Sequence, residues 1–583
     1  MSIFSNHGVM LNHRFKLKYL RSCRKIFLAT FIFICFVIFT FFNRNHDLDL
    51  SLLSSNDDIS LVVSDLKIVR CIGNCSPPTG YIKLEPSLNY KTSGLFNYFA
   101  VIKKQPLNEA IRVLVNIVPN GEGDVVSMGK YALGVKWMNI SPVEEIPDVE
   151  MVRSVEILMG MGDLVDAREG WKSLKIGSPH PSKKSLQHIS TNPRDENTPS
   201  GSSEQDVKTK DESEITGGDS PSENPDKQIK PSMESAIVDD STVIGPLITF
   251  FKLSPSREQS YTSNRKHFEA LKSQALFPTT SNKFKIIQLS DLHFGQSLGK
   301  CIDGSCSSDL RTLRFIDESI RLENPDLVII TGDLIDLSRS IDYKSVILKV
   351  LQPILHNNIK FIFTFGDEFQ GLSNAHEIKM SILTFLSSLP NCYNVVNYDP
   401  NLYGLTNYNI KVIHNEKDAV FITLLDSQDQ KLDDSQMNYL YRLNNQEQSI
   451  FKLLFFHYPL PQFRPAGRFK LLGTYNEKHP LNSKTNEKFL ADIYNCGYNV
   501  VSVGHEHEND ACISSEIEKN NDLKKIWLCY NAITGDSGDT KLNKDYDRKV
   551  RFYEINLDSR KLFSWKRSEL QKKPFDYQLI HKF

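Results

Sequence analysis

The chain has 583 residues, 40% hydrophobic and 24% charged, which gives room for two or more domains and at least one large core. Lys plus Arg total 69 against 70 for Asp plus Glu, so no global charge excess points to nucleic acid or to an acidic partner. Composition alone names no function.

Residues 1–25 form a basic tail in which Arg14, Lys16, Lys18, Arg21, Arg24 and Lys25 sit together, and no acidic residue appears before Asp47. Residues 26–42 are uncharged and rich in Phe, Ile and Val, long enough for a helix to cross the hydrocarbon core of a bilayer. No small-x-small cleavage site follows Phe42, so the run reads as a retained transmembrane signal-anchor rather than a cleaved signal peptide. The positive-inside rule then predicts a single-pass type II membrane protein whose remaining chain is lumenal, in an endomembrane compartment or vacuole. Among ten cysteines, Cys71 with Cys75 and Cys301 with Cys306 are close pairs. They are local disulfides or free thiols; a zinc site would need a matching second half that neither has. Sequons occur at Asn74 and Asn139 and add little to the topology.

Residues 66–175 contain short apolar runs separated by Gly, Pro and Asn, the signature of a small β-rich domain. From 177 to 240 the chain is dominated by Ser, Pro, Asp, Glu and Lys, and no aromatic residue occurs between Trp171 and Phe250. Such a segment buries too little apolar surface to offset the entropy of ordering it, so it is expected to be a disordered polar insert.

The pattern changes at 283. Apolar runs at Ile286, Leu327, Phe361, Val420, Phe451 and Val500 alternate with longer stretches, and residues 310–322 place Leu310, Leu313, Ile316 and Ile320 at helical spacing. Strand and helix in alternation predict an α/β core over 283–560.

The residues just past each strand are chemically pointed, because ligands gather beyond the carboxyl ends of strands in open α/β sheets. The first strand leads to Asp291 and His293, the second to Asp333 and Asp336, the third to Asp367 and Glu368, a later one to His457, and the last to His505 and His507. One histidine after a strand is an ordinary loop residue. Five strands in succession delivering carboxylates and imidazoles to one edge point to a metal site. Mixed nitrogen and oxygen donors suit manganese, iron or zinc.

The series D-x-H, G-D-x-x-D, a position for G-N-H-[DE], H-x-P and G-H-x-H resembles that of the calcineurin-like metallophosphoesterases. Ser290-Asp-Leu-His-Phe, Leu425-Asp-Ser, Phe456-His-Tyr-Pro-Leu-Pro, Gly504-His-Glu-His-Glu-Asn-Asp and Trp527-Leu-Cys-Tyr are similar to a fungal branch, the yeast dosage-dependent cell-cycle regulator phosphatases, and to plant purple-acid-phosphatase-like proteins. The resemblance implies a four-layer α/β/β/α sandwich that holds two divalent or trivalent ions. It implies that Asp291, His293 and His507 hold one ion, that Asp333 bridges, and that His457 and His505 hold the second. Two such ions activate a water for attack on a phosphomonoester and stabilise the displacement. Asp336 is expected to orient a metal-bound histidine rather than to ligate. A phosphorylated substrate, protein first, and the membrane are the expected partners, with no nucleic acid.

The third motif departs from that pattern. Gly366-Asp367-Glu368 stands where the resembling family carries Gly-Asn-His. Either Asp367 replaces the Asn as a ligand and Glu368 replaces the catalytic His, or both family residues are deleted and that ligand is gone. A general acid of this type is worth about 10²–10⁴-fold in rate. His376 lies nearby but suits an exposed helix face. Three readings are open: an active phosphomonoesterase using Asp333 and Glu368, a degenerate membrane-anchored member that regulates or binds, and a nuclease or nucleotidase on the same fold.

Overall fold

A computed structural model describes residues 61–582 apart from several connecting segments, the longest being 177–246, 254–274 and 536–546. The basic tail, the run 26–42, the polar insert 177–240 and the Cys301–Cys306 pair lie outside the described residues, and no helix among the described residues is long and apolar enough to cross a membrane.

Among the described residues the first part is built of strands, with one short 3-10 turn at Leu107–Glu109. β1 (Leu61–Ile72) and β2 (Ile82–Lys83) flank β3 (Phe96–Pro106), while β4 (Arg112–Val118) and β5 (Asp124–Met128) flank β6 (Tyr131–Asn139). Their inward residues, among them Leu66, Ile102, Leu114 and Val135, close one apolar cluster. A third sheet places β7 (Ser154–Gly160) and β8 (Trp171–Ile176) on either side of β9 (Leu247–Leu253). The strand-rich region expected over 66–175 therefore takes in a strand from beyond the polar insert. β8 and β9 are antiparallel, with Ile176 opposite Ile248, so the chain leaves and re-enters at adjacent points.

β7 joins this region to the rest through the two-residue alternation of a strand. Ile157 faces the small cluster, and its neighbour Leu158 is buried in the large core of the second part. Beside them Glu156 accepts hydrogen bonds from Arg168 (2.8 Å) and Lys344 (3.0 Å).

The second part runs β10 (Ala275–Leu276), β11 (Lys283–Leu289), α1 (Ser308–Glu323), β12 (Leu327–Thr331), α2 (Tyr343–His356), β13 (Lys360–Thr364) and α3 (Ala375–Ser387). It continues with β14 (Tyr408–His414), β15 (Lys417–Leu424), α4 (Asp434–Asn444), β16 (Phe451–Phe455), β17 (Leu471–Leu472), α5 (Phe489–Asn495) and β18 (Val500–Val503). Strands β19 (Cys512–Lys519), β20 (Asp522–Tyr530), β21 (Lys549–Asn556), β22 (Lys561–Ser568) and β23 (Phe575–Lys582) complete it.

Two mixed sheets result, ordered β13-β12-β11-β21-β22-β23 and β10-β14-β15-β16-β18-β20-β19-β17. Alternation decides the layering. In β12, Leu327 and Ile329 face the second sheet, where they meet Ile422, Leu453 and Val500. Val328 and Ile330 face Leu313, Ile316, Leu351 and Leu386 of α1, α2 and α3. On the far side, Leu454 and Val501 pack on Leu440 of α4 and Ile493 of α5. The order is α/β/β/α. Each of the six apolar runs singled out in the sequence is a strand, and β22 and β23 carry the second sheet-forming region past 560 to Lys582.

Local chemistry sets the helix starts. Asp342 caps α2 by accepting from Lys344 N, and α4 opens with a capping box in which Asp433 accepts from Ser435 N while Gln436 returns to Asp433 N. In the core between the sheets, Cys512 and Cys529 are direct cross-strand partners on β19 and β20 and form a disulfide.

Candidate metal centre

β11, β12 and β13 run parallel in one sheet, and β15, β16, β18 and β20 run parallel in the other. Their carboxyl ends meet at the seam between the sheets. Asp291, His293, Asp333, Asp367 and Glu368 arrive from the first sheet, and His457, His505 and His507 from the second.

The ends of these strands turn sharply. Asp291, His293, Asp333 and His505 have φ of 55°, 49°, 49° and 69°, a left-handed conformation that Asp and His tolerate better than branched residues. Neighbouring backbone holds them there: Leu292 N and His293 N both donate to Asp333 O (2.8 and 2.9 Å), and Gly504 N donates to His457 O (3.0 Å). Two glycines permit the close approach. A Cβ on Gly332 would stand 2.6 Å from His457 Nδ1, and one on Gly366 would stand 2.1 Å from Asp333 Oδ1.

Three overlapping groups of donor atoms lie within 4.8 Å of one another: Asp291, His293 and His507; Asp367, His457 and His505; and Asp291, Asp333 and His457. In the first group His507 Nε2 is 3.3 Å from Asp291 Oδ1 and 3.4 Å from His293 Nε2. In the second, His457 Nε2 is 3.6 Å from Asp367 Oδ1 and His505 Nδ1 is 3.5 Å from Asp367 Oδ2. Asp333 stands between them, with Oδ2 3.6 Å from His293 Nε2 and Oδ1 3.7 Å from His457 Nε2.

These spacings suit a shared ion. Donors about 2.1 Å from one metal stand roughly 3–3.5 Å apart at octahedral or tetrahedral angles. Asp291 Oδ1 and His457 Nε2 are buried with no hydrogen-bond partner, which is costly for groups of this polarity unless something else is held there. The tautomer of His457 follows from its other nitrogen: Nδ1 lies 2.9 Å from Thr331 O and must donate to it, leaving the Nε2 lone pair for the cluster.

Electrostatics point the same way. Burial alone would lower the basicity of His457, but the charges of Asp333, Asp291 and Asp367 overcome it and raise its pKa well above the ordinary imidazole value. Burial would raise the Asp291 carboxyl, yet His507 and His457 hold it below its usual range. Burial, and then the charge on Asp333, push Glu368 well above the usual carboxyl range. This is a pocket with surplus negative charge and converging lone pairs, which a cation relieves.

One expectation changes. Asp336 touches no imidazole; its Oδ2 accepts from Arg339 Nε (2.5 Å), and Arg339 Nη2 donates to His293 O (2.7 Å). The carboxylate thus acts on the His293 backbone through an arginine, because its own backbone N–H is committed to Phe294 O and turns the side chain away from the site. His376 is exposed on the first turn of α3 and joins none of the three donor groups.

Sequence reasoning missed Arg339, the Thr331 carbonyl and Tyr458, whose ring lies 4.3 Å from that of His505. It also missed a buried polar network beneath the site, in which Gln288 Nε2 donates to Thr331 Oγ1, Ser502 Oγ to Gln288 Oε1 and Tyr553 Oη to Ser502 Oγ. Gln288 and Ser502 carried a signal, as uncharged polar residues inside apolar strand runs. A backbone carbonyl leaves none.

Residues 284–509 match the calcineurin-like phosphoesterase family, a span that contains every donor described above. Protein SIA1 of Kluyveromyces lactis is 34% identical over 307 residues, 51% of this chain and 51% of that one. Phosphatase DCR2 of Saccharomyces cerevisiae is 30% identical over 341 residues, 52% of this chain and 57% of that one. Probable inactive purple acid phosphatase 14 of Arabidopsis thaliana is 26% identical, over 49% of this chain and 78% of that one. The chain thus spans about half the length of the two yeast relatives it matches.

Proposed function

Starting from a calcineurin-like phosphoesterase match that encloses the whole donor set, we propose that this protein is a metal-dependent phosphatase that hydrolyses phosphomonoesters, with phosphoproteins as substrates. The observation that carries the reading is Asp333, each of whose carboxylate oxygens faces a different histidine cluster. Asp291, His293 and His507 would hold one ion, Asp367, His457 and His505 the other, with Asp333 shared. Manganese, iron and zinc fit donors of this kind. Two ions so held would polarise the phosphoryl group and offset the charge of the displacement.

The chain supplies the rest. Strand ends fixed by backbone hydrogen bonds hold the donors in place before substrate arrives, and the Thr331 carbonyl keeps the His457 ring oriented. Asp367 occupies the place of the family's Asn, and its two oxygens face His457 and His505. That geometry supports the alignment in which Glu368 takes the place of the histidine. Glu368 Oε2 is buried beside Asp333 without a hydrogen-bond partner and is the group positioned to give a proton to the leaving oxygen.

Hydrolysis of an aryl phosphate by the purified full-length protein with manganese tests this. Turnover is expected to vanish in Asp333→Asn and to fall by about 10²-fold or more in Glu368→Gln. Absence of metal-dependent turnover above the Asp333→Asn control would favour the second reading, a catalytically degenerate member with a regulatory or binding role. The lost imidazole at Glu368 and the similarity to a probable inactive plant protein speak for it.

The same proposal keeps residues 26–42 as a type II anchor and this site on the lumenal side. The buried Cys512–Cys529 disulfide supports an oxidising compartment. Protection of the C-terminal part from protease in sealed microsomes is the expected result, and digestion without detergent would contradict it.

A further inference from the structure

One segment beside the donor cluster carries an excess of cations, most of them without a counter-ion among the described residues. Residues 464–488 connect the His457 strand end to α5 and contain only the two-residue strand β17. They include Arg464, Arg468, Lys470, Lys478, Lys484 and Lys488 against only Glu477 and Glu487, in a chain whose formal net charge is −1.

This segment is stapled to the residues that flank the histidines. Asn482 N donates to Tyr458 Oη (2.9 Å), and the Tyr458 ring packs on His505. Glu508 N donates to Glu477 Oε1 (2.6 Å), Asn509 Nδ2 donates to Glu477 O (2.9 Å), and Asp510 N donates to Thr474 O (3.0 Å). Arg464 is occupied by Glu506 and Tyr530. The segment therefore runs along the site from His505 to the residues just past His507.

Arg468, Lys470, Lys478, Lys484 and Lys488 are all exposed, and among the described residues none of them is paired with a carboxylate. Between them Leu471 and Leu472 are each 36% exposed, on the strand that ends the eight-stranded sheet. Phe469 and Tyr475 are partly buried against the core of α4 and α5, and Arg464 and Lys478 lie over the Tyr475 ring (5.5 and 6.0 Å to its centroid), which leaves little aromatic face on which a base could stack. Unpaired cations around an aliphatic pair at a free strand edge suit an extended acidic peptide better than a polynucleotide.

We propose that residues 464–488 are the substrate-docking face of this site, and that they take phosphorylated protein segments with carboxylates or further phosphates next to the scissile group. The inference rests on the phosphatase reading above and narrows its substrate class.

The test uses the full-length manganese-loaded protein and three probes: an aryl phosphate, a phosphoserine peptide flanked by glutamates, and the same peptide flanked by glutamines. The acidic peptide is expected to be the better substrate through its KM, and roughly 0.5 M salt should remove the advantage. Arg468→Glu with Lys470→Glu, and separately Lys478→Gln with Lys484→Gln, should lower kcat/KM for the acidic peptide by about tenfold or more. Both variants should leave aryl phosphate turnover unchanged. Equal kcat/KM for the two peptides in the unmodified protein overturns the proposal, as does loss of aryl phosphate turnover in both variants. Were no probe hydrolysed at all, the phosphatase reading would fall, and fluorescence anisotropy of the acidic peptide would still decide the docking face. Binding weakened by the substitutions supports it; binding unaffected, or a single-stranded oligonucleotide outcompeting the peptide, refutes it.

Discussion

Replacing Gly366 by alanine probes the proposed sharing of Asp333 without substituting any donor. The added Cβ would lie 2.1 Å from Asp333 Oδ1, 2.5 Å from Asp333 N and 2.7 Å from Glu368 Oε2. Non-bonded carbon and oxygen do not approach within about 3 Å, so Asp333 must retreat by roughly 1 Å, a displacement that costs about 10²-fold when it falls on a reacting constellation. Gly366 is not in the left-handed region, so alanine brings no backbone strain of its own, and the overpacking is expected to cost about 1–3 kcal/mol of stability. The control is Gly371→Ala. Gly371 has φ of 80° and nothing within 4 Å of its would-be Cβ, so alanine there strains the backbone by about 1–2 kcal/mol but meets no donor. Metal content by elemental analysis, aryl phosphate turnover and thermal unfolding should be measured on both. Gly366→Ala should lose metal and most of its turnover, and Gly371→Ala should keep both. Full metal content and turnover in Gly366→Ala would refute the bridging role of Asp333.

Other consequences concern stability. Burial would raise the Asp510 carboxyl, but Lys566 and Lys549 hold it at about 2, below the ordinary aspartate value; its contribution is therefore complete above about pH 4 and lost as pH falls toward 2, roughly 2–3 kcal/mol in all. Urea titrations of Asp510→Asn and the unmodified protein should show their stability gap narrowing by that amount between pH 5 and pH 2; a constant gap would count against the pairing. Replacing Cys512 and Cys529 together by alanine reopens a crosslink with a sequence separation of 17 and should cost about 3 kcal/mol, seen as a lower Tm that reducing agent no longer changes. Leu158→Ala removes a side chain only 1% exposed where β7 enters the large core; the loss should be about 2–5 kcal/mol, with the strand-rich and metal-site regions still melting in one transition. Two separated transitions in the unmodified protein would contradict that coupling.

The parts of this molecule legible in the sequence are those where one physical demand dominates. Strands β11, β12, β13, β15, β16 and β18 are buried on both faces, so they read as unbroken apolar runs. The donors follow them because parallel strands must deliver their carboxyl ends to one side. The C-terminal strands were opaque for the opposite reason. β21 reads Lys-Val-Arg-Phe-Tyr-Glu-Ile-Asn, yet Arg551 is only 2% exposed and is satisfied by Tyr530 O, Asp510 O and Ser564 Oγ. A charged residue inside a strand suggests solvent unless its partners are known, and these lie 13 to 41 residues away. Cys512 and Cys529 were hidden likewise, since their pairing depends on the register of a hairpin and not on closeness in sequence. At Asp336 the spacing suggested a role at a histidine ring, and a single arginine diverted it.

The antiparallel pairing of β8 with β9 makes the polar insert a detour rather than a link. Because its two ends are pinned side by side by their own ladder, the closure entropy grows only with the logarithm of the intervening length, about 0.6 kcal/mol for each doubling. Evolution can therefore lengthen, shorten or rewrite the detour almost freely, and an experimenter can replace it with a reporter domain whose termini lie close together.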